Sequence, residues 1–245
     1  MERNVLITGA SRGIGAAAAL RFGELGWNVA LGCRTGVDRA EELARRLRAG
    51  GGRALAVPGD LSDPEQARRV VERAEEALGG LDALVCCAGV ALPQQLITDT
   101  TDEQWRWVMG TDLDGVFYTL RAAVPFFVRR RRGAIVTVSS MWGVTGASCE
   151  AAYSAAKAGV IGLSRALAKE LGPSNVRVNC VAPGVIDTEM NAHLSPEDLA
   201  ALGEETPLGR IGTAAEAAEA ICFLASDRAS FITGQVLLAD GGMVG

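Results

Sequence analysis

Residues 5–20 read VLITGASRGIGAAAAL, and the rest of the chain can be read outward from them. Val5-Leu6-Ile7-Thr8 is an unbroken apolar run, the pattern of a strand buried on both faces. Gly9-Ala-Ser-Arg12-Gly13-Ile-Gly15 follows with the spacing GxxxGxG, and the alanines at 16–19 with Leu20 favour a helix. A strand, a glycine-rich turn and a helix start are thus laid end to end. A turn bare of side chains lets a pyrophosphate approach the backbone, and the free N–H groups of the first helical turn can bind it. Gly9, Ser11, Arg12, Gly13, Ile14 and Gly15 are therefore candidate cofactor contacts. The spacing is not the GxGxxG of the standard dinucleotide pattern, and a tight turn with no ligand would satisfy it equally.

Further strand-like runs follow at 27–34, 54–58, 81–87, 134–139, 175–182 and 235–239, with helical patterns between them. Alternation of this kind predicts one doubly wound α/β domain over 1–245, with a mostly parallel, seven-stranded sheet and helices on both faces. The carboxyl ends of such strands line the ligand crevice. They bring Arg34 and Thr35, then Asp60 with Leu61, then Cys87, Ala88 and Gly89 to that edge. A dinucleotide-binding chain selective for NAD places an acid at the end of the second strand to take the ribose 2′-hydroxyl. Here no carboxylate occurs before Asp38, whereas Arg34 and Arg12 could clamp a 2′-phosphate, which points to NADP(H). Asp60 either faces the adenine or starts a turn.

Residues 101–132 read as one or two long helices broken near 110–115, ending in a run of arginines at 129–132. Arg129 and Arg130 either complement a helix dipole or dock an acidic partner. The segment after Pro183-Gly184, from about 186 to 212, contains Pro196 and Pro207, reads as loop-rich, and is a candidate substrate lid.

The chemistry is carried by residues 140–157, SMWGVTGASCEAAYSAAK. Tyr153 and Lys157 lie four apart in an alanine-rich helical run, hence on one face. An ammonium there favours phenolate over phenol and lowers the tyrosine pKa from about 10 towards working pH. Such a tyrosine can pass a proton to or from a carbonyl or alcohol oxygen. Ser140, at the end of an apolar strand, could hydrogen-bond the same oxygen. A tyrosine and a lysine four apart on a helix surface are also common without any function. The chain has only two lysines, Lys157 and Lys169, against a large excess of arginine. Keeping a lysine beside Tyr153 indicates a need for a compact ammonium. The single histidine, His193, lies in a loop-like stretch, so histidine-based catalysis is poorly supplied.

Composition narrows the rest. With 49% apolar and 22% charged residues the chain can bury a large core. A net charge of −5 argues against a nucleic-acid partner. No apolar run approaches the roughly 18 residues of a membrane span, and the first residues show no signal-peptide pattern, so a cytoplasmic protein is expected. Six cysteines without a CxxC pair, and one histidine, make a metal site unexpected.

Taken together, Thr8-Gly-Ala-Ser-Arg-Gly-Ile-Gly15, the trio Ser140, Tyr153 and Lys157, and Pro183-Gly184 with Ile186 and Thr188 resemble the short-chain dehydrogenase/reductases from end to end. Tyr153-Ser-Ala-Ala-Lys-Ala-Gly159, Arg177-Val-Asn179 and the ending Asp240-Gly-Gly242 look most like the 3-oxoacyl-[acyl-carrier-protein] reductases within them. The resemblance implies a Rossmann-like fold and a homotetramer built on two long helices and the last strand. It implies Tyr153 as general acid, Lys157 as its tuner and nicotinamide-ribose ligand, and Ser140 as carbonyl orienter. Ile186 and Thr188 would anchor the carboxamide. The substrate would be an acyl or polyketide thioester, on an acidic carrier docking near Arg129 and Arg130. A free ketone or secondary alcohol, or a cofactor-binding scaffold with lost catalysis, are the alternatives. Two positions depart from the family pattern. Cys86-Cys87 stands where Asn-Asn is usual, and Asp112 takes the place of the fourth catalytic residue, an asparagine that acts through its backbone carbonyl. A carboxylate near Lys157 could weaken its effect on Tyr153.

Overall fold

The computed structural model describes residues 3–192 and 194–244, so His193 lies outside the described residues. In chain order the elements are β1 (Arg3–Thr8), α1 (Gly13–Glu24), β2 (Trp27–Cys33), α2 (Val37–Ala49), β3 (Ala54–Pro58), α3 (Pro64–Leu78) and β4 (Ala83–Cys86). Then come α4 (Asp102–Met109), α5 (Gly115–Arg130), β5 (Gly133–Val138), α6 (Met141–Thr145), α7 (Ala151–Leu171), β6 (Val176–Pro183) and β7 (Ile186–Asp187). The chain closes with α8 (Pro196–Glu205), β8 (Gly212–Thr213), α9 (Ala214–Ala225) and β9 (Val236–Ala239).

Seven strands form one parallel sheet in the order β3-β2-β1-β4-β5-β6-β9. The run 5–8 is apolar at every position but Thr8 because both sheet faces are covered. Val5, Ile7, Val29 and Leu31 pack under α1, α2 and α9, whereas Leu6, Leu84, Ile135 and Val178 pack under α3, α5 and α7. The alternation along each strand therefore sorts side chains between two cores rather than between core and water. From β1 the chain winds outward to β2 and β3, then returns to β4 and winds the other way. That reversal leaves a crevice at the carboxyl ends of β1 and β4.

Two sequence expectations need correction. The helix thought to break near 110–115 continues through that region as a single π-helical turn over Gly110–Asp114. The glycines suggested a break, but neither has positive φ, and Gly115 merely lets α5 pass close to the backbone of Leu61. The segment 186–212 is also more ordered than its prolines suggest. Pro196 occupies the first turn of α8, where a missing N–H costs nothing, and Ser195 caps that helix in a reciprocal box with Asp198. A short ribbon, β7 with β8, ties the two ends of the segment together. No helix among the described residues is long and apolar enough to cross a membrane.

Candidate active site

The crevice is a cleft of about 560 Å³. Every cofactor contact expected from the sequence lines it, from Gly9 at one end to Thr188 at the other. At the glycine-rich turn the backbone must come close to its neighbours. A Cβ at Gly15 would lie 2.3 Å from the Gly9 carbonyl oxygen, and Gly9 itself has φ of +67°. Helix α1 starts with no side-chain cap and no acid in its first turn, so its leading N–H groups remain available to an anion. A pyrophosphate fits this cradle by charge and by clearance.

At the end of β2, Arg34 and Arg12 line the cleft and no carboxylate belongs to that strand end. Asp60 lies 3.6 Å from Arg34, and Glu189 is 3.8 Å from Arg12 and 3.0 Å from Arg39. Arg12 and Arg34 are both solvent-exposed and so can exchange these partners for a phosphate. Asp60 also accepts hydrogen bonds from the backbone N–H and hydroxyl of Ser62. Asp60 thus starts a turn at the rim of the cleft.

The Cys86-Cys87 departure leaves the strand end intact. The Thr8 hydroxyl accepts from the N–H groups of Cys87 at 3.0 Å and Ala88 at 3.2 Å. Cys86 points into the core and Cys87 into the cleft. Burial pushes the Cys87 thiol up to about 11, against the pull of Lys157, so it is a neutral, small side chain. Nothing in the residue pattern singled out Thr8 as the holder of this loop.

Helix α7 presents Tyr153 and Lys157 to the cleft, as the spacing requires. The helix is fastened to β5 by Ser139, whose hydroxyl donates to the Lys157 carbonyl at 2.8 Å. The next residue, Ser140, caps α6 by accepting from the Trp142 N–H, and its hydroxyl also interacts with the Tyr153 phenol. Lys157 is 4% exposed, donates to the Val138 carbonyl at 3.4 Å, and lies 5.5 Å from the centre of the Tyr153 ring.

Asp112 lies behind Lys157, does not line the cleft, and is 0% exposed. Its Oδ1 accepts from the Val90 N–H at 2.8 Å. Its Oδ2 lies 3.0 Å from the Lys157 ammonium, an ion contact without the alignment of a hydrogen bond, and has no other partner. The side chain is held where it is by the π turn, a feature that recurs at functional sites. Gly89 completes the enclosure, since a Cβ there would lie 3.0 Å from the ammonium and 3.1 Å from Oδ2.

These contacts correct the simple expectation of a lowered tyrosine pKa. Burial pushes the phenol up, Lys157 pulls it down, and Asp112 pushes it up again, with the net direction upward. Burial works against the Lys157 ammonium too, but Asp112 and then Tyr153 more than offset it, so the lysine is held protonated. Burial raises the Asp112 carboxyl against the pull of Lys157 and the Val90 hydrogen bond.

Beyond Tyr153 the cleft wall is mostly apolar, with Val90, Ala91, Leu92, Pro93, Trp107 and Met190, and Thr111 and Asn191 as its uncharged polar members. None of these apolar residues stood out in the sequence, because an apolar residue aimed at a ligand looks like one aimed at the core. Arg129 and Arg130 lie elsewhere. Arg130 donates to the Leu81 carbonyl and pairs with Asp82 at 3.4 Å, and Arg129 stacks on Phe126. They sit where β4 and β5 begin, at the edge of the sheet opposite the cleft.

The chain is similar over its whole length to known proteins. A family model described as Enoyl-(Acyl carrier protein) reductase matches residues 9–244. The 3-oxoacyl-[acyl-carrier-protein] reductase of Staphylococcus aureus is 37% identical over 243 residues, covering 99% of this chain and 98% of its own. The cis-4-hydroxycyclohexanecarboxylate dehydrogenase of Sinomonas cyclohexanicum is 42% identical over 241 residues, 98% of this chain and 96% of its own. A crystal structure of the Brucella melitensis 3-oxoacyl-[acyl-carrier protein] reductase matches with a TM-score of 0.93 at 36% identity, covering 100% of this chain and 92% of that one.

Proposed function

The chain belongs to the short-chain dehydrogenase/reductase family, and we propose that within it this protein is an NADPH-dependent reductase of 3-oxoacyl thioesters, of fatty-acid or polyketide type, borne on an acyl carrier protein. As a family member it is an oxidoreductase of the CH–OH/C=O pair. The observation that carries the finer reading is the distribution of charge along the cleft. Arginines without a strand-end acid stand at the adenosine end, Tyr153 and Lys157 stand in the middle, and an apolar wall lies beyond them.

A nicotinamide dinucleotide, when bound, supplies the hydride that adds to the 3-oxo carbon. The glycine-rich turn and the start of α1 hold its pyrophosphate, Arg12 and Arg34 its 2′-phosphate, and Lys157 the ribose beside the nicotinamide. Ile186 and Thr188 hold the carboxamide. Ser140 orients the carbonyl oxygen. The Tyr153 hydroxyl gives its proton to that oxygen as negative charge develops there, and the resulting phenolate is reprotonated from solvent. The Lys157 ammonium stabilises the phenolate in the interval. The segment 186–212 acts as a lid, its β7–β8 ribbon serving as the hinge.

The relative with the highest identity among those cited favours a second reading, oxidation of a free secondary alcohol. The substrate in that relative's name carries a carboxylate. In this cleft the cations among the lining residues are Arg12, Arg34 and Lys157, and none belongs to the apolar wall. That asymmetry supports the thioester. The test is a panel assay with purified protein, following cofactor absorbance with acetoacetyl thioesters and with cyclic hydroxy acids. Turnover of thioesters with NADPH is expected. Turnover of the hydroxy acids alone establishes the second reading, and cofactor binding without turnover of anything leaves a scaffold.

Assembly as a homotetramer is part of the same proposal. Phe117 on α5 and Leu237 on β9 are 41% and 37% exposed, on the elements expected to meet partner copies. An acidic carrier resting on Arg129 and Arg130 would then deliver substrate to the cleft of another protomer, since these arginines lie away from their own.

A further inference from the structure

We propose that Asp112 is a positioning residue that acts as the buried counter-ion of Lys157 and, by offsetting its charge, keeps Tyr153 a phenol through neutral pH. The proposal rests on the reading of Tyr153 as the proton donor. It deepens that reading by naming the residue that offsets Lys157 at the phenol.

The argument is one of charge in an enclosed space. Asp112 is fully buried, Lys157 nearly so, and the carboxylate Oδ2 is 3.0 Å from the ammonium. Oδ1 is already held by the Val90 N–H, so the carboxylate cannot swing away to water. The trio of Asp112 carboxylate, Lys157 ammonium and Tyr153 phenol carries no net charge. Ionising Tyr153 would leave a net negative charge in a desolvated pocket, which is unfavourable. With an asparagine at 112 the same trio would carry a net positive charge, and loss of the phenol proton would neutralise it. One carboxylate therefore inverts the sense in which the pocket treats the phenolate. The other groups that face the phenol do not change this. Glu150 beside the start of α7 pushes in the same direction as Asp112, the Ser140 hydroxyl opposes it, and Cys87 beside Lys157 is a neutral thiol.

The chain has two tyrosines, Tyr118 and Tyr153. Tyr118 lies on α5, edge-on to Phe117 with Arg121 over its ring, and does not line the cleft. In the Tyr118→Phe protein the ultraviolet band of phenolate near 295 nm reports Tyr153 alone, with no substrate present. Titration of Tyr118→Phe is expected to show no phenolate up to pH 9. The additional Asp112→Asn change should bring the band in at least one pH unit lower than without it, a tenfold or larger change in the ionisation equilibrium. Asparagine keeps an oxygen for the Val90 N–H, and circular dichroism with NADPH binding checks that the fold survives. If Asp112→Asn does not fold, the first titration still decides, because a phenolate midpoint below pH 9 in Tyr118→Phe overturns the proposal. A midpoint that Asp112→Asn leaves in place, or moves upward because Lys157 gives up its proton instead, overturns it as well. Since neither titration uses a substrate, failure of the proposed thioester activity and failure of this inference are separate results.

Discussion

Replacing Lys157 by methionine tests the buried pair through stability rather than turnover. Methionine has nearly the length of lysine and can fill its place, so the main loss is the charge. Asp112 would then be left fully buried, with one oxygen on the Val90 N–H and the other facing nothing. Removing one partner of a buried pair typically costs about 3–5 kcal/mol, because the remaining charge is uncompensated. In a domain of this size each kcal/mol moves the melting temperature by about 2–4 °C, so a fall of about 6–20 °C is expected. The pH dependence has a definite sign. Burial already raises the Asp112 carboxyl above its ordinary value, and loss of the lysine raises it further. A carboxyl raised in the folded state favours folding when protonated, and its penalty grows as pH rises through the folded-state pKa. Lys157→Met should therefore lose most stability at pH 8 and recover part of it near pH 5. Adding Asp112→Asn removes the stranded charge and should restore most of the melting temperature at pH 8. The assay is thermal denaturation without cofactor at one protein concentration, for the three variants at both pH values. A single variant as stable as the parent, or a double variant no better than the single, would refute the reasoning.

Other outcomes follow from the same geometry. Tyr153→Phe should bind NADPH as before and lose about a hundred- to ten-thousand-fold in turnover, the usual contribution of a general acid, measured by steady-state kinetics with fluorescence titration of the cofactor. Arg34→Ala should weaken NADPH about tenfold or more and leave NADH nearly unchanged, since only the 2′-phosphate contact is lost; equal binding of both cofactors by the parent protein would remove the basis for NADP. Gly15→Ala should abolish cofactor binding and lower stability by about 1–3 kcal/mol, because the added carbon would overlap the Gly9 carbonyl. Light scattering at micromolar concentration should give the mass of four chains of 25.5 kDa, and a monomer would contradict the assembly.

The features legible in the sequence are those imposed by local geometry. The apolar run at 5–8 announced a strand covered on both faces, because it is short, rich in β-branched residues and closed by a glycine. The glycines at 9, 13 and 15 announced a tight turn, because Gly9 and Gly13 have positive φ and a Cβ at Gly9 or Gly15 would overlap the backbone. Tyr153 and Lys157 announced a shared helix face, because the helical repeat puts four-apart residues together. Other features needed the fold. The π turn at 110–114 could not be separated from a break, since the difference is which carbonyl an N–H chooses. Helix α8 was hidden by prolines whose effect depends on their position relative to a helix start. The apolar wall from Val90 to Trp107 is indistinguishable by composition from core. Above all, the sequence shows that an acid stands at 112 but not what it faces. Only the packing of the π turn against α7, with Val90 after β4 holding the other oxygen, places that carboxylate 3.0 Å from the Lys157 ammonium and away from water. The energy of a charge is set by its surroundings over a few ångströms, and those surroundings come from segments far apart in the chain.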